Sequence, residues 1–326
     1  MKKNLVFICF CSMLIFGLTF SCLAAEYPSR NVKAVVPWAS GGGAADLASR
    51  VMAKYMSPYL GVSLVVENMP GASSQIGVKY LRDSKPDGYT IGSGISTSNL
   101  LFYPKLVKGS GISKGSITPL FRYCNVINYF VVRQDSPWNT FKDYVADIKK
   151  NPRKFKHTSP GAQSLGNVSV ELINKHVGTE TLHVPFQSTG QGLTALLGGH
   201  VDMVSAHGLG GGLLQANKIK VLALASPERV DFLPNVPTLK ELGYPIALEQ
   251  EHGMFIPNGT PREIQDKLID AGKKAFKEHG EEINKLFADM YLSARWLDQE
   301  DFKKLMDQNE ITYNDLLKVL NIPTEK

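Results

Sequence analysis

The residues best placed to do chemistry lie in Val35-Val36-Pro37-Trp38-Ala39-Ser40-Gly41-Gly42-Gly43-Ala44-Ala45-Asp46. An apolar run ends at a proline, three glycines follow, and a helical pattern begins. This order sets backbone N–H groups, with no side chains to hide them, at a helix start. The first N–H groups of a helix lack intrahelical acceptors and sit at the positive end of its dipole, so the chemistry on offer is anion binding. A tight turn is the plainer alternative for the glycines. A nucleotide phosphate loop is disfavoured, because no Lys-Ser/Thr follows at the required spacing. Asp46 would repel an anion. In the first helical turn it reads as structural, stabilising the dipole by about 0.3–1 kcal/mol.

Other candidates are hydroxyls and histidines. Ser96, Thr97, Ser98 and Ser164 sit in loops of small residues and are either solvated or donors to a carboxylate, a bond contributing about 1.5–3 kcal/mol. Trp38, inside a glycine–serine loop, reads as a cleft wall, whereas Phe102 and Phe186 fit a core equally well. The cluster Gly208 to Gly212 lacks dinucleotide-binding spacing, since Leu213 stands where the last glycine belongs. No pair among the seven histidines has metal-ligand spacing with a third partner, and only His207 falls near the expected cleft. No Gly-x-Ser-x-Gly elbow or converging Ser/His/Asp set supports a hydrolase.

These residues need elements to hold them. Val32 to Val36 reads as a buried strand. Asp46 to Met56 follows as a helix with apolar rows Leu47, Val51, Tyr55 and Ala48, Met52, Met56. Strands over 62–66 and 89–95 flank a helix marked by Ile76, Tyr80 and Leu81. The same grammar returns at 129–132, 141–148, 165–176, 182–184, 193–197, 201–204 and 221–225, and the tail from Pro261 is helical and charged. Such alternation predicts an α/β fold with mostly parallel sheets. Ligands of such sheets bind outside the carboxyl ends of strands. Loops 37–43, 92–98 and 159–164 leave such ends. A cleft between two domains, joined by strands crossing a hinge, would bring loops of the two halves face to face.

The chain opens Met1-Lys2-Lys3-Asn4 and runs apolar from Leu5 to Phe20 into Cys22-Leu23-Ala24-Ala25. This predicts a secretory leader over 1–25, cleaved near Ala25, and hence a periplasmic destination. The run is short for a membrane span, and bulky Phe20 fits lipidation of Cys22 poorly. Cleavage removes Lys2 and Lys3 and no acid, so a net charge of +6 becomes +4. That balance, without dense basic runs, points away from nucleic acid. Of four cysteines only Cys124 then remains, too few for an internal disulfide, and it reads as a small buried apolar residue. The length left is enough for two domains.

In order and spacing, the sequence resembles the Bug-type substrate-binding receptors of tripartite tricarboxylate transporters. The resemblance rests on Tyr27-Pro28-Ser29-Arg30, the Val35 to Gly42 stretch with Asp46, Val66-Glu67-Asn68-Met69-Pro70-Gly71-Ala72 and Pro86-Asp87-Gly88-Tyr89-Thr90. It continues through His183-Val184-Pro185-Phe186, Leu196-Leu197-Gly198-Gly199-His200-Val201-Asp202-Met203, Leu233-Pro234-Asn235-Val236-Pro237-Thr238 and Pro257-Asn258-Gly259-Thr260-Pro261. It implies a type II-like periplasmic binding fold. Domain 1 would hold 26–125 and 248–326, and domain 2 would hold 126–247. It implies no catalysis and no cofactor. A monomeric receptor would close on a small carboxylate and deliver it to a transporter with two integral membrane subunits. A sensor for a membrane kinase is the alternative partner.

The resemblance also implies how the carboxylate is held: by backbone N–H groups, hydroxyls and water rather than an arginine clamp. Carried over, the first site loop is Trp38, Ala39, Ser40, Gly41, Gly42 and Gly43. The second runs from Ser93 to Ser98 with the hydroxyls of Ser96, Thr97 and Ser98. The third holds Ser159, Gly161, Ala162, Gln163, Ser164 and Asn167. Phe186 and Gln187 follow one strand, and Ala206 and His207 follow another. Relatives commonly carry a polar residue near Ala206, a small one at Gln163 and a histidine at Asn167, so ligand identity is expected to differ at these places.

Overall fold

A computed structural model describes residues 27–41, 43–162, 164–209 and 212–321. The expected leader, Gly42 and Gln163 lie outside the described residues. The elements run β1 (Val32–Val36), α1 (Ala44–Leu60), β2 (Leu64–Asn68), α2 (Gln75–Arg82), β3 (Thr90–Ser96), α3 (Thr97–Leu101), β4 (Ile117–Val126) and β5 (Asn128–Arg133). They continue with α4 (Phe141–Lys150), β6 (Lys156–Thr158), α5 (Leu165–Val177), β7 (Leu182–His183), α6 (Thr189–Leu197), β8 (Met203–His207) and β9 (Ile219–Leu224). The chain finishes with β10 (Gln250–Pro257), α7 (Arg262–Asp289), β11 (Ser293–Leu297) and α8 (Gln299–Val319).

Two sheets result, a six-stranded one ordered β11-β4-β10-β3-β1-β2 and a five-stranded one ordered β7-β6-β8-β5-β9. Both are mixed, not mostly parallel. β1, β2 and β3 run parallel, as do β6, β7 and β8. β10 is antiparallel to β3 and β4, and β5 is antiparallel to β8 and β9. The antiparallel strands are those that carry the chain across. Ile127 alone separates β4 from β5. On the return, Leu248 N–H still bonds Ala225 O beside the second sheet, and β10 starts in the first sheet at Gln250.

Local chemistry explains the elements that frame the site. α1 buries Ala44, Ala48, Met52 and Met56 at spacing four and stops at Gly61, whose φ of 69° suits glycine. In α2 the apolar expectation fails in part. Ile76 and Tyr80 face outward, 55% and 41% exposed, while Gln75, Val78 and Leu81 are buried. Gln75 donates to Asn99 O and to Ser74 Oγ, and these bonds fix the helix's rotation. A Cβ on Gly77 would meet Pro37 and Met69 O at 2.8 Å, so this glycine allows α2 to press against the loop after β1.

Candidate functional site

A cleft of about 430 Å³, counted to its open mouth, lies between the two sheets. Trp38, Ala39, Gly43, Ala44, Ala45 and Tyr103 line one side, Pro160, Ser164, Gln187, Ser188, Thr189 and His207 the other, and Gln250 and His252 stand on the returning strand β10. Loops 37–43 and 159–164 therefore face one cleft. Trp38 meets Tyr103 edge to face at 6.0 Å, which holds the indole as a wall.

Three helices of eight or more residues begin at this cleft. α1 starts at Ala44 behind Gly43, which contributes no side-chain cap. α5 starts behind Ser164, whose Oγ accepts from Asn167 N–H, and α6 behind Ser188, whose Oγ accepts from Gln191 N–H. Each N-terminus carries the equivalent of about half a positive charge. The cleft therefore has a positive potential although no lysine or arginine is among its described lining residues. Asp46 does not oppose it. Its carboxylate accepts from Arg50 Nε at 3.0 Å and Asn68 Nδ2 at 3.0 Å, and Asn68 also donates to Trp38 O at 2.9 Å. Asp46 is thus the structural acid the sequence suggested, and through Asn68 it braces the Trp38 loop.

The remaining polar lining is neutral. Burial pushes His207 down to about 4 and His252 down to about 3. Gln250 Nε2 lies 3.2 and 3.3 Å from the two His207 ring nitrogens. His252 is 2% exposed, and its Nδ1 has no hydrogen-bond partner. Tyr103 Oη accepts from Leu165 N–H at 3.3 Å, linking one wall to the head of α5, and burial raises its pKa.

The remaining sequence candidates divide by place. Ser40 and Gly41 sit at the rim beside α6, and a Cβ on Gly190 would lie 2.5 Å from Gly41 O. Ser159 Oγ lies 2.9 Å from His183 Nε2 and 3.0 Å from Gly161 O, and Ser164 donates to it. Asn167 bonds Ala162 O and His157 Nε2, both at 2.9 Å, propping the third loop from behind. Phe186 pairs with Pro160. Ala206 is buried within β8 opposite Tyr129. Ser93, Ser96, Thr97 and Ser98 are fully buried and outside the lining. Ser93 bonds Ser49, Ser96 bonds Ser98 and Asn99, and Thr97 donates to Glu251 at 2.8 Å. Cys124 is buried, with its thiol pKa raised.

Tyr103, Gln250 and His252 were absent from the sequence candidates. A signal for two of them exists. Gln250-Glu251-His252 opens a strand ahead of the apolar run Met254-Phe255-Ile256, and strand alternation puts Gln250 and His252 on one face.

A family model described as tripartite tricarboxylate transporter family receptor matches residues 48–322. The chain belongs to this family. Receptors of the family are periplasmic solute-binding proteins, not enzymes. The chain is 32% identical over 255 residues to the UPF0065 protein in the gbd 5′ region of Cupriavidus necator, covering 77% of this chain and 76% of that one. The structure of the periplasmic binding protein BugD matches with a TM-score of 0.83 at 27% identity, over 92% of this chain and 100% of that one. MatC from Rhodopseudomonas palustris with bound malate shares the fold, with a TM-score of 0.80 at 24% identity over 89% of this chain and 100% of that one. Among the described residues, no helix is long and apolar enough to cross a membrane.

Proposed function

We propose that this receptor is exported with cleavage near Ala25, binds a small organic acid by its carboxylate in the cleft, and delivers it to the integral subunits of a membrane transporter. The observation that carries this reading is the convergence of three helix N-termini on a cleft without a lysine or arginine among its described lining residues. Backbone N–H groups and dipoles recognise any carboxylate head. The malate in the MatC structure supports the same ligand chemistry.

The two moving bodies in this reading are 26–125 with 248–326, and 126–247. Only a closed cleft lets one ligand touch both walls, so binding favours the closed form. The segments at 127 and 249 are then the hinge. Delivery follows if the transporter reads the closed surface. The test is a carboxylate panel against the purified mature protein, read by thermal shift and calorimetry. Binding to the native state raises the melting temperature by mass action, by about 2.7 kcal/mol of stability at a hundredfold excess over Kd. Failure of every carboxylate to shift the protein, with no heat of binding, overturns the reading.

A further inference from the structure

Resting on that reading, the two strand crossings carry a control on closure. On the return crossing, Leu248 N–H bonds Ala225 O beside the second sheet, and Gln250 is already paired with Val126 in the first. Glu249 stands between them. Its Oε2 accepts from Asn125 Nδ2 at 3.0 Å, and Asn125 lies on β4 two residues before the outgoing crossing at Ile127. The other half of that carboxamide is unanswered, since Asn125 Oδ1 is buried and has no hydrogen-bond partner. We infer that Glu249 is a positioning residue that carries a proton in the closed form, gives Asn125 Oδ1 the donor it lacks, and so ties carboxylate affinity to pH.

The argument starts from hydrogen-bond capacity. An ionised carboxylate only accepts, whereas a protonated one has an O–H to give. A carboxylic acid facing a primary amide makes a bond in each direction. A carboxylate makes one and leaves the amide oxygen orphaned, which is costly when that oxygen is buried. The surrounding groups agree. On the same strand, buried Glu251 accepts from Thr97 Oγ1 at 2.8 Å and from Asn309 Nδ2 at 3.0 Å, so both of its oxygens are served and suit the ionised form. Its charge opposes a second one at Glu249. From β4 and β11, Arg122 and Arg295 favour an ionised Glu249, yet neither forms a salt bridge with it among the described residues. Tyr129 on β5 donates to Tyr291 O, and burial keeps its phenol and the Cys124 thiol protonated. Burial and Glu251 together push the Glu249 carboxyl up to about 7. The walls of the cleft meet in this form, where a Cβ on Gly190 would lie 2.5 Å from Gly41 O. Opening bends both crossings and admits water to Glu249, which favours its ionisation. A proton held more firmly in the closed form is taken up on binding, so affinity falls as pH rises through 7.

The experiment is calorimetry on the mature protein from pH 6.5 to pH 8.5 at constant ionic strength. Butyrate, glutarate, benzoate and glutamate serve as probes, because their carboxylates stay ionised in this range. The affinity of the tightest falls by about fivefold across the range. Its heat of binding at pH 7.5 differs between phosphate and Tris buffers as proton uptake requires. Glu249→Gln sets an amide opposite Asn125, with a donor present at every pH, and the fall disappears. Should this variant fail to fold, infrared difference spectra of the unaltered protein decide, and the probe adds a protonated-carboxyl band at pH 7.5. A flat affinity profile, a fall that survives in Glu249→Gln, or no such band overturns this inference and leaves carboxylate binding standing. Absence of binding by every acid sinks the underlying reading and this one with it.

Discussion

Two stretches of small residues at the carboxyl ends of parallel strands of the same sheet have different fates, and the second, 92–98, is the end of β3 and the start of α3 rather than the loop expected. Loop 37–43 after β1 reaches the cleft with Trp38, Ala39 and Gly43. The 93–98 segment at the end of β3 turns inward and is fully buried at each of its hydroxyls. Their compositions look alike. The difference lies in what has already claimed their polar groups. Ser96 and Asn99 close a capping box on the short helix α3, Ser93 joins Ser49 and Tyr123, and Thr97 joins Glu251. Gly43 offers no side chain to the head of α1. A loop rich in small polar residues thus becomes a binding element only where its donors are left unclaimed.

The sharpest test of this contrast removes one donor from α1. Ala44 is the first helical residue, a position that tolerates proline. Ala44→Pro deletes its N–H and weakens carboxylate affinity by about 10–100-fold, the scale of one hydrogen bond to a charged group, with the fold retained by circular dichroism. Unchanged affinity would place the carboxylate elsewhere. Acid comes next. His157, His207 and His252 are buried and neutral, with pKa values pushed down to about 4, 4 and 3. The unfolded chain takes up protons on these groups below about 6.5, so their contribution to stability is present above that pH and is lost as pH falls towards 4. Glu249, raised to about 7 by burial, works in the opposite direction. The histidines outnumber it, and the melting temperature of the ligand-free protein falls by at least about 4 °C from pH 7 to pH 5. A flat profile would show that these imidazoles are not desolvated.

A smaller effect follows at the rim. Gly190→Ala drives a Cβ against Gly41 O, a backbone atom, so α6 or the Trp38 loop must shift. Affinity drops by about fivefold, on the scale of 1 kcal/mol, and small-angle scattering shows a more open form with ligand. The mildest change belongs to the buried end of β3. Ser93→Ala removes a hydrogen bond worth about 1 kcal/mol, lowers the melting temperature by about 2 °C, and leaves carboxylate affinity as it was. Loss of affinity there would erase the distinction between the two stretches.

Much of this was legible from residue order. β1, α1, β3 and the third loop fell where hydrophobic period and punctuation put them, because those two signals are local. β4, β10 and β11 were not read as strands. Their pairings join residues more than a hundred positions apart, as with Met254 and Phe121, and no local pattern carries such information. Tyr103 was hidden in the same way, since Leu165, whose N–H it accepts, lies 62 positions away. The outward face of α2 was misjudged because apolar type was weighed, while the bonds of Gln75 set the rotation. That the hydroxyls of 93–98 are claimed could not be seen, since Tyr123, Glu251 and Asn309 come from remote segments.

The strand order of the first sheet also fixes a timetable. β3 lies between β1 and β10, and β4 between β10 and β11, so β3 stays unpaired along one edge, and β4 along both, until residues 250–297 have been made. Such long-range closure is slow relative to helix and hairpin formation, and bare strand edges invite association with other chains. A chain halted before residue 250 therefore lacks the middle strand of its own sheet. The first sheet is completed only near the end of synthesis, whereas the strands of the second sheet, β5 to β9, are all made by Leu224.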